Sequence, residues 1–162
     1  VLKIEDVVFT GLRAKDGVSI DGAAIYNADG TVNISGGTFT NNSATNGGAI
    51  YLNGGTATIS GAVFENNSAT NGGAVYRGNA SLVLSDVTMA GNKATGNGGA
   101  VFYTGGDGLS AFKVSDSRFE NNTAQNGGAL YNDRGGTLSI EGDTVFENNS
   151  ATTLERYYDS SP

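Results

Sequence analysis

Five charged residues in the second half of this chain are of the types that polysaccharide chemistry uses: Asp86, Asp116, Arg118, Glu120 and Glu147. Cleaving a glycosidic chain needs a pair of carboxylates, or a bound Ca²⁺ together with a base. Asp86 and Asp116 stand at equivalent places in two related segments, Arg118 lies beside the second, and Glu120 and Glu147 share another place. Only these two aspartates align, and no long loop is present to wall a sugar cleft. The chain has no histidine and no cysteine, so an imidazole base, a thiolate nucleophile and a thiolate metal site are all ruled out. Asp107, in Gly105-Gly106-Asp107-Gly108, is one acid where a calcium cage takes about six oxygens or more. The expectation is no catalytic residue, no metal and no cofactor, with the carboxylates as solvated groups and the glycine loop as a turn insertion.

The elements that position these residues follow from a repeat, and repeats set a fold before anything else does. The segment at 36–51, GGTFTNNSATNGGAIY, returns at 61–76, 86–102 and 116–131, with degraded copies at 7–26 and 144–152. Alignment produces columns. One holds Phe9, Phe39, Phe64, Met89, Phe119 and Phe146; another holds Tyr26, Tyr51, Tyr76, Phe102 and Tyr131. Isoleucine, leucine and valine at 4, 34, 59, 84 and 114, with Ile140, form a third. Polar residues alternate with these, as in Thr56-Ala57-Thr58-Ile59-Ser60, which is a strand with one buried face. Gly-Gly pairs inside every period exclude helices.

Short strands at a period of roughly 25 residues make a solenoid. The fold class is therefore all-β, a right-handed parallel β-helix of about six coils with three short strands each, since parallel crossovers take the right hand. At about 4.8 Å per coil the rod is on the order of 30 Å long. The whole chain, 1–162, reads as a single domain: an atypical first coil (1–30), regular coils (31–136), then the last coil and a C-terminal tail (137–162).

Asn42, Asn67, Asn92, Asn122 and Asn149 follow the Phe/Met column by three residues. Stacked asparagines can pass amide hydrogen bonds along the rod and satisfy polar groups that a tight turn buries. Ala44, Ala69, Ala94, Ala124 and Ala151 follow where the corner is narrow, and the Gly-Gly pairs allow positive φ or close contact between coils. The four Asn-x-Ser/Thr sequons that begin at Asn41, Asn66, Asn121 and Asn148 recur because the turn recurs, and read as structure.

Gly47-Gly48-Ala49-Ile50, Gly72-Gly73-Ala74-Val75, Gly98-Gly99-Ala100-Val101 and Gly127-Gly128-Ala129-Leu130 alternate with Phe39…Asn42, Phe64…Asn67, Phe119…Asn122 and Phe146…Asn149. These paired tetrapeptides resemble the repeat of the chlamydial polymorphic membrane proteins, over nearly the whole chain. The resemblance implies a β-helical passenger of an autotransporter-like surface protein, extracellular and associated with adhesion. Its partners would be a protein or carbohydrate on a host or neighbouring cell, and further β-helical repeats of the same protein or another subunit.

Net charge of −7, with nine Lys and Arg scattered along 162 residues, argues against a nucleic-acid partner. No apolar stretch of about 18 residues is present, so membrane insertion by this segment is not expected. The Tyr26–Tyr131 column is the candidate binding face, expected to point outward with the aliphatic residues beside it turned in; the bland alternative is a stack that only ties coils together. Thr31, Asn33, Ser35, Thr56, Thr58, Ser60, Ser81 and Ser85 make a partial hydroxyl face of the kind ice-binding solenoids use, interrupted by Val83, Lys113 and Glu141. An adhesin or scaffold is therefore weighed against a polysaccharide-active enzyme and an ice-binding solenoid. Because the chain starts inside a strand at Leu2, another β-helical segment is expected to stack there, while Glu155 and Arg156 in the tail block the other end.

Overall fold

A regular coil runs through Thr56–Ser60, Val63–Glu65, Ser68–Ala69 and Val75–Arg77. The computed structural model of the protein describes residues 1–105, 111–133 and 137–152. In Thr56–Ser60, Ala57 and Ile59 point into the rod and are buried while the residues between them face out, as the alternation predicts. Each strand pairs in parallel and in register with its counterparts in neighbouring coils: Ala57 lies between Val32 and Leu82, and Ile59 between Ile34 and Leu84. Among the described residues the strands stack into parallel sheets of six, six, four and five strands. The first two start at Leu2–Glu5 and Val8–Thr10, the third at Ser68–Ala69 and the fourth at Ile25–Asn27. The fold is the parallel β-helix expected, with one difference. The corner read as a bare turn around Ala69, Ala94, Ala124 and Ala151 is itself a strip of two-residue strands. Small side chains there let the chain stay flat enough to pair.

The corners explain the composition. The backbone enters the left-handed region at three places per coil. Between the first two sheets stand Asp6, Gly36, Gly61, Asp86, Asp116 and Gly142, with φ from 49° to 68°. After the second sheet come Gly11, Asn41, Asn66, Gly91, Asn121 and Asn148; before the fourth come Gly22, Gly47, Gly72, Gly98 and Gly127. Only Gly, Asn and Asp take this conformation at little cost. Asp6 thus joins the aspartate column, which holds three acids, not two, and its members are turn residues. The Gly-Gly pair divides its work: Gly72 supplies the positive φ, while Gly73 has none, and a Cβ there would run into the Gly99 carbonyl oxygen and the Lys93 backbone.

Inside the second corner stands the asparagine ladder. Asn42, Asn67, Asn92 and Asn122 are fully buried. Asn67 Nδ2 donates to the Phe39 carbonyl oxygen one coil below (2.8 Å) and to Asn92 Oδ1 one coil above (3.0 Å). Its own Oδ1 accepts from the Asn42 backbone N–H and from Asn42 Nδ2, both at 3.0 Å. The pattern continues through Asn92, Asn122 and Asn149. At the first coil, where Leu12 replaces asparagine, the Leu12 backbone N–H still donates to Asn42 Oδ1 (3.0 Å). Among the described residues no buried side-chain nitrogen or oxygen lacks a partner.

Phe39, Phe64, Met89 and Phe119 are fully buried beside the ladder, and the phenylalanines stack ring on ring, Phe39 on Phe64 at 4.7 Å and Phe119 on Phe146 at the same distance. Core burial fades in the outermost coils: Leu2, in the column of buried Val32, is 44% and Phe146 41% exposed. The tail residues Glu155 and Arg156, expected to block stacking, lie outside the described residues, as does the loop segment Gly106–Ser110.

Two outcomes are expected. Asn67→Ala removes both donors and the shared acceptor from a dry corner and should lower the unfolding free energy by about 1–3 kcal/mol, read by urea denaturation; unchanged unfolding would refute the ladder's role. Gly73→Ala should destabilise by about 1–3 kcal/mol through steric overlap alone, and a Gly73→Ala protein as stable as the parent would show that the coils can move apart there.

Candidate functional site

The charged group of the second half is drawn together only in part. Arg118 lies on the outer side of the second sheet and bridges two coils, donating from Nε to Glu120 (2.7 Å) and from Nη2 to Glu147 (2.5 Å). The guanidinium is held protonated more firmly than usual, first by its hydrogen bond to Glu120. Both carboxylates are thus paired to a cation, and the group is open to water. Asp86 and Asp116 occupy the neighbouring corner, and Asp116 Oδ1 accepts from the Asp143 backbone N–H (3.1 Å). Its carboxylate lies over Gly142, where a Cβ would overlap it. Among the described residues no three His, Cys, Asp or Glu side chains gather in a way that could hold a metal ion.

The candidate binding column lies on the fourth sheet. Its strands turn Ile50, Val75 and Val101 fully inward and the aromatic residues outward. Tyr26 and Tyr51 are stacked at 5.1 Å, Tyr51 and Tyr76 at 4.7 Å, Tyr76 and Phe102 at 4.7 Å, and Phe102 and Tyr131 at 5.6 Å, with ring planes 6–19° apart. Each face between successive rings is therefore covered by the neighbouring ring, so within the column a sugar has no face to stack on. What the column offers to solvent is ring edges and a row of phenol hydroxyls. Phe102 supplies neither, being only 6% exposed.

The first sheet presents a flatter and more polar surface. Thr31, Thr56 and Ser81 are register partners, as are Ser35, Ser60, Ser85 and Ser115. Between them run Lys3, Asn33, Thr58, Val83, Lys113 and Ser139, so the middle row carries one threonine and is no threonine array. At its lower end Lys3, Glu5, Asn33, Ser35, Thr58 and Ser60 line a shallow hollow of 290 Å³.

Two features escaped the sequence reading. A second amide ladder climbs the third corner: Asn46 Nδ2 donates to Asp21 Oδ1 (3.0 Å), Asn71 to Asn46 (3.2 Å), Asn97 to Asn71 (3.3 Å) and Asn126 to Asn97 (2.7 Å). The signal was present, since an asparagine precedes each of the pairs Gly47-Gly48, Gly72-Gly73, Gly98-Gly99 and Gly127-Gly128. Arg77 is the other. Its side chain enters the rod at a position filled by Leu52 one coil below and Tyr103 one coil above, and it is fully buried. Nε donates to the Ala80 carbonyl, Nη1 to the Thr104 carbonyl (3.5 Å), and the guanidinium stands 6.0 Å from the Tyr103 ring centroid. No period reveals a residue that occurs once.

Burial raises the Tyr51 phenol above its ordinary value of 10.0, and Tyr76, Asp21 and Tyr26 add to the shift. Tyr76 is raised chiefly by burial too, then by Asp133 and Asp21. A raised folded-state value means the neutral phenol is favoured by folding. Stability is fully present below pH 10 and is lost as the pH climbs through the folded values. The double variant Tyr51→Phe/Tyr76→Phe should lose less stability than the parent between about pH 10 and 12, measured by urea denaturation at each pH. Equal losses would show that the Tyr51 and Tyr76 phenols are not linked to folding.

No helix among the described residues is long and apolar enough to cross a membrane. Comparison with curated proteins returns no match, and comparison with solved structures returns none. A family model described as the right handed beta helix region matches residues 2–160. With coils that pair in parallel and in register among the described residues, this chain belongs to the right-handed β-helix family.

Proposed function

We propose that this chain is a non-enzymatic segment of a bacterial surface-displayed β-helical adhesin or scaffold, extracellular, mediating attachment or surface assembly. The observation that carries the reading is the outer face of the first sheet. Its rows of short hydroxyl and amide side chains are fixed by backbone register from coil to coil. Short side chains on a rigid backbone lose little entropy when a partner docks, so modest contacts yield net affinity. The likeness to the polymorphic membrane protein repeat supports the same reading and suggests a partner on a host or neighbouring cell, as protein or carbohydrate. The charged residues add to it: Arg118, Glu120 and Glu147 are engaged with one another, and Asp86 and Asp116 serve a turn.

Beads coated with the protein should bind epithelial or bacterial cells several-fold better than albumin-coated beads. The double variant Thr58→Arg/Ser60→Arg, which obstructs the face without entering the core, should bring binding down toward the albumin level while thermal unfolding stays unchanged. Release of unsaturated oligosaccharides from polygalacturonate, lost in Asp116→Asn, would overturn the non-enzymatic reading; equal cell binding by the face variant would overturn the choice of face.

A further inference from the structure

The first coil departs from the repeat by extra residues ahead of Tyr26, and these form an arch fixed at both feet. Arg13 pairs with Ser43 in a parallel bridge, the Ser43 N–H donates to the Leu12 carbonyl (2.8 Å), and the Thr45 N–H donates to the Ile20 carbonyl (2.7 Å). Within the arch the Val18 N–H closes a turn onto the Lys15 carbonyl (3.0 Å). Beneath it is a pocket of 370 Å³. Arg13, Lys15 and Asp16 line it from the arch, Ser43 and Thr45 from the second coil, and Thr70 from the third.

Two cations against one carboxylate make this pocket locally positive on a chain whose net charge is −7. Among the described residues both ion pairs belong to Arg118, so neither Arg13 nor Lys15 is neutralised by a direct partner. The opposite wall is built of hydroxyls. The volume falls in the range of about 300–1,000 Å³ typical of small-molecule sites, far more than one bare oxyanion fills.

We propose that this pocket binds an acidic saccharide. Arg13 and Lys15 hold its carboxylate or sulfate ester, and Ser43, Thr45 and Thr70 hydrogen-bond its hydroxyls. The wall also supplies a path outward. Thr45, Thr70 and Thr95 occupy successive coils, the last two exposed, and the step between coils of about 4.8 Å is close to the length of one sugar residue. The ligand is therefore the acidic end of a glycan whose next residues run along the rod. This site is independent of the first-sheet face, and stands or falls apart from the adhesion reading.

Saturation-transfer NMR with the intact chain tests it, using glucuronic acid, N-acetylglucosamine 6-sulfate, neutral glucose and inorganic sulfate as probes. Both acidic sugars should bind, glucose should not, and sulfate should compete weakly. Arg13→Gln/Lys15→Gln should weaken binding at least about tenfold, with thermal unfolding unchanged, and salt raised from about 50 to 500 mM should weaken it in the parent. Lys113→Gln, a remote cation, should leave it unchanged. Acidic sugars that fail to bind, or bind the double variant as well as the parent, would overturn the site. Sulfate binding as tightly as the sulfated sugar would overturn the saccharide assignment. Cell adhesion retained by the double variant while sugar binding is lost would separate the pocket from the adhesive face.

Discussion

The structure depends on how a tight corner hides polar backbone from water. A chain that turns three times in each circuit of about 25 residues leaves amides and carbonyls inside the rod, where an unpaired one costs about as much as a whole hydrogen bond gains. Asparagine solves this because its side chain carries a donor and an acceptor in one plane. Asn67 receives from the coil below and gives to the coils below and above, so every polar atom on the corner is used. The arrangement is self-consistent only when the next coil repeats it. That requirement is why the sequence is periodic.

The same demand explains which residues stand beside the ladder. The residue just ahead of each ladder member, an asparagine such as Asn66 before Asn67 or Gly91 before Asn92, takes the left-handed conformation that aims the next side chain inward. At the opposite corner a glycine carries the turn and a second glycine permits close approach of backbones. Aromatic rings stack because the coils are spaced by backbone hydrogen bonds, and identical side chains in register have no other place to go. The Tyr51–Tyr76 contact is thus a consequence of coil spacing, and it leaves the ring faces unavailable to a ligand.

The positions that face solvent or break the repeat are the ones that can vary without disturbing the columns. The first sheet gives a regular polar surface whose side chains are short and fixed. The arch over Ser43 and Thr45 and the buried Arg77 are departures from periodicity that carry charge. Arg77 fills an inward position with a guanidinium bonded to main-chain carbonyls, where Leu52 does the same with carbon. A regular solenoid carries its stability in the repeated columns and is free to vary elsewhere.

Most of the fold was legible in the sequence, because a β-helix maps one dimension of space onto sequence period: residues that share a column are neighbours. The Phe and Asn columns and the inward aliphatics of the first sheet could be placed from spacing, whereas alternation at Ala74-Val75-Tyr76 allowed either face inward and the fold turned Val75 in. What alignment left open was settled by geometry. The two-residue strands at Ala69 and Ala94 depend on corner curvature, which spacing does not display, whereas Asp6 stands three residues before Phe9 as Asp86 does before Met89 and was there to be read. Whether a tyrosine offers its face or its edge depends on the coil spacing, and burial of Arg77 depends on which way one strand is turned. The pocket under the arch depends on where two non-repeating residues, Arg13 and Lys15, come to lie against the hydroxyls of later coils. Periodicity reports what neighbouring coils share; the chemistry of single residues required the tertiary structure, because only packing decides what a unique side chain meets.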